Sequence, residues 1–441
     1  MRVWEVASLP LAIHVRTLSA SLDRRWSFTL KGCALMDKKF RRSSDWIFTN
    51  SCRCERRTST GAITILIAKE SARNQLSKRL RGIRTPLASV AIGFDGFVDE
   101  MITVVSERHD LDSFTPVPDI ATFGALITRA AGHSSLREII VNAVHPGGCA
   151  VNMGDGLAAM GVPVDCFATL GDPIHAAFAP IASRFRACHS WGREPGRTLA
   201  FEFADGKLMY SAVRQLADFT PAHVETLLTT GAYQAAAAQA AVIALTNWTL
   251  YPHMTAVWRL LAETVYGRLP HRPAFIIDLV DPSSRSTADI RLMTEVLPLI
   301  ESCGPVVLGL NGNEANILAR IFNVRESSEN LAGSADLAAT LRTRLGISEV
   351  AIHCVKFAVA ANATTQASIL GPFCASPKKS TGAGDRFNAG YCLGMLLDVD
   401  ISDRLTLACA CSGHFVREAR SANLAELADF LTSPFWEQKT T

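Results

Sequence analysis

Across 441 residues (47.6 kDa), apolar residues make up 48% and charged residues 19%, the balance of a globular chain with a large core rather than a disordered or collagen-like one. The net charge of +3 divides unevenly. Residues 1–60 carry 12 Lys and Arg against 5 Asp and Glu, whereas the remainder carries 32 against 36 and lacks the basic footprint of a nucleic-acid binder. Twelve scattered cysteines without a C-x-x-C pair or zinc-type spacing argue against a disulfide scaffold or zinc site, and favour a reducing cytoplasm. No run of 18 apolar residues offers a membrane span.

Residues 1–60 hold three of the seven tryptophans and a Cys52-x-Cys54 pair but no sustained periodicity, and are expected to be a dispensable disordered extension. Glu5 beside a weak apolar stretch does not suit a secretory signal. Residues 61–87 read as a linker, helical from Ala62 to Leu80 and broken by Gly82 and Pro86. The body, 88–437, opens with Val90-Ala91-Ile92-Gly93, an apolar run consistent with a buried parallel strand. Asp95 and Asp99 follow, at the strand end where open α/β sheets bind ligands; two turn-capping aspartates would give the same letters.

Gly147-Gly148 through Asn152 opens a helix that ends at Gly161, and Val162–Leu170 reads as the next strand. Leu199, Phe201 and Phe203 alternate with Ala200, Glu202 and Ala204, and Asp205-Gly206 then turns the chain into Leu208-Met209-Tyr210, a hairpin. Ala241–Leu245, Ala274–Asp278 and Val306–Leu310 are strands separated by helical stretches, the rhythm of a mainly parallel sheet covered on both faces. Asn311-Gly312-Asn313-Glu314 stands where the last of these gives way to a helix, and has the letters of a capping box. Glu349–Ala361 reads as one further strand stretch.

Ser380-Thr381-Gly382-Ala383-Gly384-Asp385-Arg386-Phe387-Asn388-Ala389-Gly390 runs straight into an apolar helical pattern. Two glycines at a helix start uncover backbone N–H groups and, with the helix dipole, make an anion site. A carboxylate there would repel a phosphate, so Asp385 makes chemical sense as a base that takes a proton from a nucleophile. As a first-turn residue favoured by the dipole it needs no such role.

Four stretches in order (Val90–Gly93 leading to Asp95 and Asp99, G-G-x-x-x-N at 147–152, N-x-x-E at 311–314, and T-G-A-G-D-x-F-x-A-G at 381–390) resemble those of ribokinase-like carbohydrate kinases, over about residues 88–435. The resemblance implies a doubly wound α/β domain with a mainly parallel sheet and a small β-sheet lid, drawn from segments near 95–110 and 197–212. It implies ATP-dependent phosphoryl transfer to a hydroxymethyl group of a small sugar, with Mg2+. By that likeness Asp385 is the base, and Gly382, Ala383 and Gly384 form the anion hole. Asp95, Asp99, Gly147, Gly148 and Asn152 hold the sugar, while Asn311, Glu314 and Thr381 serve the nucleotide, Glu314 arranging magnesium through waters. Partners are then a sugar and a nucleotide, with no nucleic acid or membrane, and with room for a homodimer through the lid. Lys379 stands where many relatives carry a cation-binding aspartate, and is expected to supply that charge itself. Phe357–Ala360 lacks the glycine-rich turn common near the nucleotide base, which keeps ADP open as donor. A nucleoside kinase and a non-catalytic sugar-binding regulator also stay open.

Overall fold

Strands that are apolar along their length need cover on both faces, and that requirement organises the molecule. The computed structural model describes residues 64–65, 70–327 and 330–437. In chain order its strands begin with β1 (Thr64–Ile65), β2 (Val90–Gly93), β3 (Phe97–Arg108), β4 (Phe114–Pro116) and β5 (Ile139–Gly147). β6 (Val164–Ala168), β7 (Ala187–Ser190), β8 (Gly196–Phe203), β9 (Gly206–Ala212) and β10 (Val242–Leu245) follow. The last are β11 (Ala274–Asp278), β12 (Val306–Asn311), β13 (Glu349–His353), β14 (Phe357–Ala361) and β15 (Gln366–Leu370).

The large sheet runs β1-β15-β14-β13-β12-β11-β10-β2-β6-β7. It is parallel except where β14 pairs antiparallel with β13 and with β15. Alternation assigns each side chain to a face. Val306, Leu308 and Leu310 join Ile243 and Leu245 in one core, while Val307, Val242 and Ala244 join the other. Each fully buried aliphatic side chain contributes about 1.5–3 kcal/mol. The smaller sheet runs β4-β3-β8-β9, with β5 on the other side of β3. Phe123, on the helix Ile120–Arg129, stacks on Phe201 and tilts against Phe203 at centroid distances of 5.9 and 5.3 Å.

Parallel strands send their carboxyl ends the same way. Asp95, Thr246, Asp278, Asn311 and His353 therefore meet along one edge of the large sheet. Two expectations need correction here. Glu349–Ala361 is a hairpin, because Cys354-Val355-Lys356 forms a turn in which Cys354 N–H donates to Phe357 O at 2.8 Å. The described helix of the linker region is Glu70–Gly82, and Thr64–Ile65 adds a strand to β15 instead. The expected extension, residues 1–60, lies outside the described residues. Among the described residues no helix is long and apolar enough to cross a membrane.

Candidate active site

Asp95 leaves β2 fully buried, and its carboxylate is used up. It accepts the N–H groups of Cys149 (2.6 Å) and Ala150 (2.9 Å), the Thr246 hydroxyl (2.6 Å) and Asn247 Nδ2 (2.9 Å). It thereby caps the helix Cys149–Ala159, a task that the N-cap residue Gly148 has no side chain to perform. Gly148 has φ +96°, and a Cβ there would stand 2.8 Å from Asp95 O. Asp95, expected to bind sugar, is scaffold. Asp99 differs: it is half-buried on β3, with His145 and Thr198 as its cross-strand neighbours. Burial raises its pKa, opposed by the Thr198 hydroxyl and by the charges of Lys379 and Lys207. A methyl on Gly147 would overlap the Asp99 carboxylate, so the glycine is what lets that carboxylate lie on the turn.

Asn152 and Asp385 join the two glycine turns, Asn152 Nδ2 donating to Asp385 Oδ2 at 2.9 Å. Asp385 lies in the first turn of the helix Ala383–Leu396 and is 8% exposed. Burial raises its pKa to about 7, with Asp278 and Asp95 pushing the same way and Arg386 and the Cys149 thiol opposing. An aspartate so placed is half-ionised near neutrality, as a general base should be.

Gly382 is the N-cap of that helix at φ +89°. The expected anion hole is one donor short, because Ala383 N–H closes a turn onto Ser380 O at 3.1 Å. The amides of Gly382 and Gly384 have no partner among the described residues and remain free for an anion. Lys379 is half-buried, its Nζ 5.8 Å from the Phe415 ring centroid.

Asn311 and Glu314 do form a capping box: Glu314 N–H donates to Asn311 Oδ1 (2.9 Å), and Asn311 N–H donates to Glu314 Oε2 (2.8 Å). Asn311 Nδ2 takes Oε1 at 2.8 Å, which leaves each carboxylate oxygen one lone pair. Burial and the charges of Asp278, Asp281 and Asp385 raise the Glu314 pKa. Asp278 is raised too, by burial and Asp95, while Asn388 Nδ2 holds it at 2.6 Å. Several buried carboxylates that repel one another fit a hard cation bound through water. No cluster among the described residues would ligate one directly.

Beside Gly384 and Asn311 opens a cavity of about 950 Å³, walled by the Cys354–Lys356 turn, Pro372 and the helix Ile401–Glu418. Ser380 reaches it; Thr381 does not. Gly413 and Val416 line it, and the glycine-free hairpin makes a wall all the same. The sequence reading missed His353, whose ring packs 4.9 Å from Phe387 and borders Gly384, and Asp278 and Arg386. For Asp278 a signal existed, its place at a strand's carboxyl end. For His353 the strand boundary was hidden in the longer run.

A family model described as prokaryotic ketohexokinase matches residues 64–433. A ketohexokinase from Haloferax volcanii is 28% identical over 370 residues, spanning 83% of this chain and 96% of the relative. Among solved structures, a ribokinase from Thermotoga maritima superposes with a TM-score of 0.55 at 14% identity, covering 79% of this chain and 100% of that one. An adenosine kinase from Sinorhizobium meliloti gives 0.53 at 15%, covering 78% and 98%. At such identities these two structures speak to the fold alone, a large mainly parallel sheet with a smaller one beside it.

Proposed function

This chain belongs to the prokaryotic ketohexokinase family, and from that premise we propose that it transfers the γ-phosphoryl group of ATP to a primary hydroxyl of a ketohexose, with magnesium. It is a carbohydrate kinase of ribokinase-like fold. The observation that carries the reading is the Asn152–Asp385 hydrogen bond, which joins the turn beneath Asp99 to the anion turn.

Asp385 takes the proton of the acceptor CH2OH as its oxygen attacks the phosphorus; the O–P bond to the nucleoside diphosphate breaks in line. Asn152 holds the carboxylate in place through Oδ2. The Gly382 and Gly384 amides stabilise charge on the transferring oxygens, preorganised by the helix they begin. Asp99 accepts sugar hydroxyls. Glu314 would hold magnesium through waters, and that ion would neutralise charge on the donor phosphates.

The lid supports a sugar over a nucleoside. Phe201 and Phe203 pack under Phe123, on the face opposite Thr198 and Asp99, and Phe97 is buried against Gly196. None of these rings is offered to a base at Asp99. Ile139, Val141, Val144 and Tyr210 are exposed on that same opposite face, an apolar surface suited to a lid-to-lid homodimer. An ATP donor and the nine free cysteines among the described residues suit the cytoplasm.

The test is a coupled assay of ketohexoses, aldohexoses and nucleosides with ATP and with ADP. A ketohexose with ATP should give the highest kcat/KM. Preference for a nucleoside, or for ADP, would overturn the respective half of the proposal.

A further inference from the structure

Arg386 follows the base directly, and the reaction as derived above gives it nothing to do. It is 6% exposed, and its guanidinium is held from several elements. Nη2 donates to Asp155 Oδ2 at 2.7 Å, on the acceptor-side helix Cys149–Ala159. Nε donates to Ser421 Oγ at 3.2 Å, and that hydroxyl in turn donates to Asp155 Oδ2 at 2.7 Å. Arg184 pairs with the other Asp155 oxygen. The guanidinium carbon lies 4.4 Å from the Phe415 ring centroid. Nη1 is aimed at the anion turn: a Cβ on Gly382 would stand 2.9 Å from it and 3.6 Å from Asn152 Nδ2. Beyond this cluster the two helices pack closely, with Gly156 against Ala389.

A buried ion pair is often no more stabilising than well-packed apolar side chains of the same volume, and in some proteins its contribution is to fix one geometry. Here the geometry fixed is that between the acceptor turn and the anion turn. We propose that Arg386 is a positioning residue, which locks the helices bearing Asn152 and Asp385 together through Asp155 and Ser421 and backs the Gly382 turn. This rests on Asp385 being the base. A lysine keeps the charge but cannot make both Asp155 and Ser421 contacts with a planar fork.

Arg386 also acts on Asp385 through its charge. The groups facing Asp385 are Asp278 at the end of β11, Asp95 after β2, Glu314 on the next helix, the Cys149 thiol, and Arg386 as the cation of the set. Charge and geometry can therefore be read separately. The full chain would be compared with Arg386→Met, Arg386→Lys, Asp155→Asn and Asp385→Asn, with thermal melting to check folding and both kcat and kcat/KM measured against pH, the acidic limb being read from kcat/KM. Arg386→Met should lose about 10- to 100-fold in kcat, the cost of a small misplacement of reacting groups, and its acidic limb should move to higher pH. Arg386→Lys should lose a similar factor with the limb near wild type. Asp155→Asn keeps the guanidinium but removes its anchor, so kcat should fall with no upward shift, which serves if Arg386→Met does not fold. An unmoved limb in folded Arg386→Met, full kcat in Arg386→Lys, or full kcat in Asp155→Asn overturns the proposal. Turnover retained by Asp385→Asn would remove the base assignment and this proposal with it. An inactive Asp385→Asn beside an unmoved Arg386→Met limb removes this proposal alone.

Discussion

Asp385 is pushed toward the neutral form by burial and by Asp278, whereas the role of base proposed for it needs the anion. Its pKa of about 7 in the free protein places the acidic limb of kcat/KM near neutrality, activity rising with pH through that value. Asp385→Asn should lose at least ~100-fold in kcat with the fold intact, measured by the coupled assay and circular dichroism. The same shift has a stability consequence. The folded pKa exceeds that of an unfolded aspartate, about 4. The fold therefore gains from this group at low pH, and that gain is lost as pH rises through about 7. Melting curves should show Asp385→Asn more stable relative to wild type at pH 8.5 than at pH 5. Asp95 makes the contrast. With four donors on its carboxylate and no exposed surface, Asp95→Ala should cost ~3 kcal/mol or more in denaturant unfolding, since buried donors are left unpaired.

The helix Gly312–Ile321 is capped by the same two side chains that are proposed to serve magnesium, and a substitution can part the two roles. Glutamine at the third helical position still completes a capping box. Glu314→Gln should therefore change unfolding free energy by less than ~1 kcal/mol. Removal of one of several mutually repelling carboxylates can even raise stability. Magnesium activation should shift to roughly 10-fold higher concentration, as happens when groups around an ion's first shell are altered. An unchanged magnesium titration would leave Glu314 as a cap alone.

For the whole chain, the family match begins at residue 64 and the first described strand at Thr64. A chain starting at Gly61 keeps that strand beside β15, and should retain wild-type kcat and solubility in side-by-side purification. Insolubility or loss of activity would show that residues 1–60 are needed. Asn152 and Asp385 lie 233 residues apart, so only the folded sheet and the helices packed on it bring the two glycine turns together.

Short-range patterns settled much of this protein, because strand burial, helix caps and glycine turns are local matters. The strands Val90–Gly93 and Ala274–Asp278, the Gly382 turn and the Asn311–Glu314 box were all legible from neighbours a few residues away. What each polar group near the site does depended on partners far along the chain. Asp95 and Asp99 look alike in sequence. Thr246 and Asn247 bury and saturate the first, while Gly147 gives the second room to lie on its turn. Ala383 counts as an anion-hole donor until its turn closes on Ser380, and Arg386 is an ordinary surface-type residue until Asp155 and Ser421 meet it in the interior. A carboxylate's availability is set by who else donates to it, and that is decided only when the tertiary structure has formed.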